Sequence, residues 1–213
     1  MKELDLGKVL GRGGFCVVNE ITQINLKEGK QAIEQTSIED ERDIYNIVQD
    51  RKFMSSHCIR SGKDYRYAIK ILQDSSRKDP DTFVNGVIDL AIEAKFLAVV
   101  RHPNIIKMRG MALMENRFAN SRFFVVLDRL YDTLTIRLTK WKKNKISGIK
   151  KLMDRKGKRK LAFFVERLTV AYDLGCALKY MHDLPVVYRD LKVCCMQCAV
   201  GCHFISHCLM LYP

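Results

Sequence analysis

With 213 residues, 47% of them hydrophobic and 29% charged, the chain is long enough to bury a core and too apolar to be a disordered polymer. Its net charge of +13 suggests nucleic acid at first, but 12 of the 37 basic residues and one of the 24 acidic ones lie in 137–160. That segment alone carries +11 and leaves +2 for the rest, so it reads as a solvated insertion able to dock an acidic partner, and no specific nucleic-acid binding is expected. Five of the eight cysteines fall in 194–208, and Met1-Lys2-Glu3-Leu4-Asp5 has no apolar signal region. A secreted disulfide framework is therefore not expected, and the expected location is cytoplasmic, nuclear or both.

Residues 4–21 alternate apolar and polar side chains about Gly11-Arg12-Gly13-Gly14, which predicts a β-hairpin with a glycine-rich tip. Residues 22–64 lack strand character and read as an insertion. Within it Ser37 and Asp40 are spaced to cap a helix over 38–48, whose Ile44, Tyr45 and Val48 share a face. Residues 65–72, which include Ala68-Ile69-Lys70, predict a third strand. A helix starts at Pro80-Asp81 and runs to about residue 100, with Val84, Ile88, Ala91, Ile92 and Leu97 at helical spacing. Gly86 inside it costs about 1 kcal/mol relative to Ala and predicts loose first turns. His102-Pro103-Asn104 ends the helix, and strands are expected over 105–114 and 123–127. Five strands with one helix between the third and fourth make a small antiparallel α+β lobe. Beyond Asp128 the pattern is helical: a short helix over 134–141, then a long amphipathic one over 162–182. The long helix carries Phe164, Leu168, Ala171, Leu178 and Met181 along one face. Pro185 stops it, and residues 186–188 read as a short strand.

Three groups of residues carry chemistry. Glycines in Gly11-x-Gly13-x-Phe15 let backbone N–H groups approach a polyphosphate, with Phe15 at the tip able to fold over it; a plain hairpin turn is the alternative. Lys70, at the end of a strand, can hold phosphate oxygens if a carboxylate keeps it charged and aimed, and Glu93 in the following helix is placed to do so; each alone reads as a surface charge. In Tyr188-Arg189-Asp190-Leu191-Lys192, a carboxylate after a short strand can accept the proton of an attacking hydroxyl, help worth roughly 10²–10⁴-fold. Lys192 can neutralise a transferring phosphoryl group.

In this order, and with His102-Pro103-Asn104-Ile105 between them, these motifs resemble the eukaryotic protein kinase family from about residue 4 to residue 192, interrupted by insertions at about 22–64 and 140–160. The resemblance implies a kinase-like α+β fold: a five-stranded antiparallel sheet with one long helix, followed by the first helices of an incomplete helical lobe. It implies ATP, with Gly11, Arg12, Gly13, Gly14, Phe15 and Cys16 forming the phosphate-covering loop. Val18 and Ala68 would sandwich the adenine, Leu127 would be the gatekeeper, and the backbones of Asp128 and Leu130 would bond the adenine edge. Lys70, paired to Glu93, would hold the α- and β-phosphates, and Asp190 would be the catalytic base. Lys192, two residues after it, is similar to serine/threonine rather than tyrosine kinases. The implied activity is ATP-dependent phosphoryl transfer to a protein hydroxyl, on a substrate these residues do not name.

The chain departs from the family at three places. Cys16 replaces a third glycine and Tyr188 the usual His, both mild changes. At the position of the metal-binding Asn, five residues after Asp190, stands Cys195, and no Asp-Phe-Gly follows. The 21 residues after Lys192 contain no Asp, Glu, Lys or Arg. Mg²⁺ is expected for the family, but hard oxygen ligands for it are missing, so no metal site is assigned and weak catalysis is expected. A non-catalytic nucleotide-binding or partner-binding fragment is the alternative function. The tail 193–213 offers Cys195, Cys198, Cys202, His203, His207 and Cys208 as soft zinc ligands, but at no established zinc spacing. It is also too polar to span a bilayer, so no membrane partner is expected; it reads as a divergent, Cys-rich replacement end. With most of a helical lobe absent, the apolar stripe of the helix over 162–182 is expected to stay partly exposed and to limit solubility.

Overall fold

A computed structural model describes residues 3–26, 41–62, 64–112, 123–143, 157–184, 196–199 and 202–205. The chain divides into one unit comprising Met1–Ala98 with Lys107–Arg129 and a second comprising Val99–Ile106 with Leu130–Pro213. In the first unit the elements run β1 (Leu4–Arg12), β2 (Cys16–Ile24), α1 (Glu41–Ser56), β3 (Ile59–Ser61), β4 (Asp64–Tyr65), β5 (Tyr67–Leu72), a 3₁₀ turn (Ser75–Arg77), α2 (Pro80–Val99), β6 (Met108–Met111) and β7 (Phe124–Asp128). Five of these strands form one antiparallel sheet in the order β1-β2-β5-β7-β6. The α+β lobe read from the sequence is thus the fold of this unit.

The central strand β5 is almost wholly buried, because it is flanked by β2 and β7 and covered on both faces. Its register sets two rows across the sheet: Val18, Lys70 and Val125 in one, Glu20, Ala68 and Leu127 in the other. Directly opposed side chains, and those two apart on a strand, share a face. Val18, Glu20, Ala68, Lys70 and Leu127 therefore project from one side. The other side carries a core of Ile21, Ile24, Cys58, Tyr67, Ile69 and Val126, with Met54 of α1 packed against it.

The insertion covers that second face. Arg51 pairs with Glu3 at 2.6 Å, and the Ser55 hydroxyl donates to the Ile24 carbonyl at 2.6 Å. This is why α1 runs to Ser56, well beyond the helix expected over 38–48: tertiary burial of Met54 extends it past its own periodicity. Residues 38–40 lie outside the described residues. The β3–β4 hairpin was not expected; strands of three and two residues are too short for alternation to be read.

Helix α2 begins as expected at Pro80, capped by Asp79, whose carboxylate accepts the Thr82 N–H at 2.9 Å and the Thr82 hydroxyl. Two expectations for it are corrected. Its buried residues are Gly86, Val87, Leu90, Ala94, Phe96 and Leu97, so Leu97 is buried as the spacing suggested while Val84 and Ile88 are exposed. Nor does Gly86 loosen the first turns: a Cβ there would stand 2.9 Å from Leu72 Cδ2 and 3.0 Å from Phe15 Cβ, so the glycine admits these side chains to the helix. Facing Gly86 toward Phe15 turns the burial stripe away from Val84 and Ile88.

In the second unit, β8 (Asp132–Thr133) leads into α3 (Leu134–Lys143), followed by α4 (Lys158–Asp183), β9 (Met196–Ala199) and β10 (Cys202–Ile205). Leu134, Trp141 and Val170 form a core with Leu138, Phe163 and Leu174 against it, and the Arg167 guanidinium lies 5.5 Å from the Trp141 ring centre. The buried residues of α4 are Val170, Ala177 and Met181; of the face read from the sequence Met181 is buried while Phe164 and Leu168 are exposed, as expected of a stripe left partly uncovered. The helix is also apolar on the side of Val170 and Ala177, which the periodicity did not single out. Strands β9 and β10, not expected in the tail, pair with each other and with β8 in the order β10-β9-β8. The strand expected over 186–188 lies outside the described residues. Among the described residues no helix is long and apolar enough to cross a membrane.

Candidate functional site

The glycine turn between β1 and β2 is closed by a bond from Gly13 N to the Cys16 carbonyl at 2.8 Å. Neither conformation nor packing within the chain explains its glycines. Positive φ occurs only at Gly62 and Gly157 among the described glycines. A Cβ at Gly11 or Gly14 would meet nothing within 4 Å, and one at Gly13 only an ordinary contact with the Cys16 carbonyl at 3.7 Å. Open space over three successive glycine positions is what a backbone approached from outside by a polyphosphate needs. Gly11, Arg12, Gly13 and Gly14 are all exposed.

The turn is strapped from beneath by residues that sequence analysis missed. The Gln73 side-chain amide donates to the carbonyls of Gly13 at 2.6 Å and Cys16 at 3.2 Å, and the Gln73 backbone N–H donates to Phe15 O at 2.8 Å. The Ser76 hydroxyl donates to the same Phe15 carbonyl at 3.1 Å. Gln73 and Ser76 are polar residues in a short connection, where no periodicity marks them. Phe15, read as able to fold over a ligand, has its Cβ and Cγ against Gly86 of α2.

Lys70 is buried at 8% exposure in the central row, opposite Val18 and Val125, and its ammonium is paired with the Glu93 carboxylate of α2. The pairing expected from the sequence is thus present, brought about by the face of α2 that also carries Gly86 and Leu97. Cys16 lies on the same side of the sheet. Burial pushes its thiol above the usual range, with Lys70 acting in the opposite sense and Glu93 and Asp89 adding to the rise, so it is a neutral thiol at neutral pH.

Ala68 and Leu127 line the neighbouring row, directly opposite each other. Asp128 closes it, its N–H donating to the Lys107 carbonyl at 3.1 Å. Its carboxylate is held by Arg109 through two bonds of 2.6 and 2.9 Å, an arrangement that raises the arginine's affinity for its proton still further. Nothing in the sequence pointed to Arg109. Leu130 belongs to the second unit, where it is buried.

Asp190, Lys192, Tyr188 and Cys195 lie outside the described residues, as do His207 and Cys208. Cys198 and His203 are register partners across β9 and β10. No group of three His, Cys, Asp or Glu able to hold a metal is present among the described residues. The His102-Pro103-Asn104-Ile105 motif is a tight turn of the second unit: Asn104 N donates to His102 Nδ1 at 3.1 Å and Ile105 N to His102 O at 3.2 Å. The ring of His102 stands 5.0 Å from that of Tyr180, and burial lowers its pKa.

Comparison with known proteins adds to this geometry. A family described as the protein kinase domain matches residues 51–194, more than half of the chain. The serine/threonine-protein kinase DCLK1 of Rattus norvegicus is 24% identical over 140 residues, covering 63% of this chain and 25% of the rat protein. DCLK1 of Mus musculus has the same identity over the same length and is covered to 14%. The chain therefore spans a quarter or less of the length of these relatives.

Proposed function

This chain belongs to the protein kinase family, and we propose that it is a serine/threonine-type member whose first unit holds ATP. The observation that carries the reading is the buried Lys70–Glu93 pair, set in one row with Val18 on the side of the sheet where the glycine turn lies open. Lys70 would hold phosphate oxygens as a charged donor, and such bonds are roughly twice as strong as neutral ones. The N–H groups of the glycine turn would take the outer phosphates and the Asp128 carbonyl the edge of the base, with Leu127 behind; Val18 and Ala68, projecting from one side of the sheet, would pack on one face of the base rather than sandwich it. When bound, ATP supplies the transferable phosphoryl group. The kinase domain is taken to run from 4 to 192 with insertions at about 22–64 and 140–160, and Asp190 would accept the proton of a substrate hydroxyl beside Lys192.

Mg²⁺ does not fit the residues present. Cys195 occupies the position of the family's amide ligand and residues 193–213 contain no carboxylate, whereas Mg²⁺ takes hard oxygen ligands. No step is therefore assigned to the metal, and this departure favours a second reading in which the chain holds nucleotide without turnover. The basic segment 137–160 would dock an acidic partner in either case.

Two measurements on the purified chain separate these readings. Phosphate transfer from ATP to a general protein substrate, lost in Asp190→Asn, supports the enzyme. Thermal stabilisation by ATP with no transfer above the Asp190→Asn level supports the binding module; ligand at 100 times Kd adds about 2.7 kcal/mol. Neither stabilisation nor transfer refutes both.

A further inference from the structure

Arg129 is the last residue of the first unit and, although a cation, is only 9% exposed. Its Nη2 lies 3.2 Å from Glu20 Oε2, and its Nη1 lies 3.8 Å from Asp64 Oδ1. Glu20 is buried on β2 directly opposite Ala68, on the side of the sheet that carries Val18 and Lys70. Gly7 makes room for it: a Cβ there would stand 2.6 Å from both Glu20 Cγ and Oε1. The next residue, Lys8, donates its N–H to Oε1 at 3.3 Å.

The backbone at Arg129 is fixed as well. Its N–H donates to the Arg66 carbonyl at 2.8 Å, one residue beyond the Asp128–Lys107 bond. Burying a charged pair is a poor way to stabilise a fold, since apolar side chains of similar volume do as well or better, whereas losing one partner strands a buried charge. A pair that also requires glycine on the adjacent strand is better explained by what it positions. It joins the strand end that would read the adenine edge to the strand that would cover the base.

We propose that Arg129 is a positioning residue of the nucleotide slot. Its ion pair with Glu20, supported by Asp64, holds residues 127–129 against β2 and fixes the strand end that would read the adenine edge. The inference rests on the nucleotide reading above. It also connects the insertion to the site, because Asp64 belongs to the β3–β4 hairpin.

The test uses the full chain, with ATP and adenosine titrated calorimetrically well below the melting midpoint. Glu20→Gln and Arg129→Met should each weaken ATP and adenosine alike, by about tenfold. The double variant should lose no more than either single, and Arg129→Lys should recover part of the loss. An unchanged ratio of ATP to adenosine affinity separates this role from that of Lys70, whose loss should lower the ratio. Unchanged affinities with only a lower melting midpoint, or losses that add in the double variant, overturn the proposal. Hydrogen exchange reads the anchor directly: the amides of Asp128 and Arg129 should exchange faster in Glu20→Gln, and unchanged exchange overturns it. A wild-type chain that binds no nucleotide overturns both the nucleotide reading and the slot assignment. One that binds, while Glu20→Gln alters neither affinity nor exchange, overturns this proposal alone.

Discussion

Lys70, Glu93 and Cys16 form one electrostatic neighbourhood, and each side chain alters what the others can do. Buried next to a paired lysine, the Cys16 thiol is held protonated chiefly by loss of solvent, and Lys70 is the one neighbour that opposes this. Replacing Lys70 by Met therefore raises the thiol pKa further. Mass-spectrometric mapping of iodoacetamide labelling at pH 7 should find Cys16 slow in the wild type and slower in Lys70→Met; faster labelling in the variant contradicts the account. Lys70, Glu93 and the glycines were legible in the sequence because their residue types carry their chemistry in a recognisable order. Gln73, Arg109 and the Glu20–Arg129 pair were not, because a polar side chain in a connection or at a strand end has no periodicity until the fold supplies its partner.

Helix α2 shows the same contrast one scale up. Its start was readable from Pro80, since the ring fixes φ and the first N–H needs no partner. Its orientation was not, because Gly86 reads as a defect until Phe15 and Leu72 are seen against it. An alanine there gains about 1 kcal/mol of helix propensity but overpacks the contact by about 1–3 kcal/mol. Gly86→Ala should therefore lower the thermal midpoint; a rise would show that Phe15 yields freely. The helix start also responds to pH. Thr82 donates two bonds to the Asp79 carboxylate and holds its pKa below the usual range. The unfolded chain thus takes up this proton first. The cap contributes fully above the ordinary carboxylate pKa and is lost as pH falls through the lower folded value. Asp79→Asn should flatten that part of the midpoint-against-pH curve as pH falls from neutral through the ordinary carboxylate range and below it, and an unaltered curve would exclude the cap as its source.

For the whole molecule, charge and apolar surface are unevenly spread. The segment 137–160 carries +11 while the remainder is nearly balanced. In the second unit Leu161, Phe164, Val165, Leu168 and Tyr172 form an exposed stripe along α4, opposite its buried Val170, Ala177 and Met181. The wild-type chain should associate as its concentration rises, and Phe164→Glu with Leu168→Lys should suppress this in sedimentation velocity; a monodisperse wild type at high concentration contradicts the expectation. The five antiparallel strands and the helix between the third and fourth of them followed from alternation and glycine punctuation; their order in the sheet came from the structure. The tail hairpin did not, since strands of four residues are too short for alternation to be read; β9 also pairs with β8. The central claim is that the first unit grips nucleotide through Lys70. Calorimetric titration of ATP into the wild-type chain and Lys70→Met tests it most directly. The account predicts saturable binding by the wild type and an affinity about 10–100-fold lower in the variant, the loss expected for a charged hydrogen bond; equal affinities, or no saturable binding by the wild type, would contradict it.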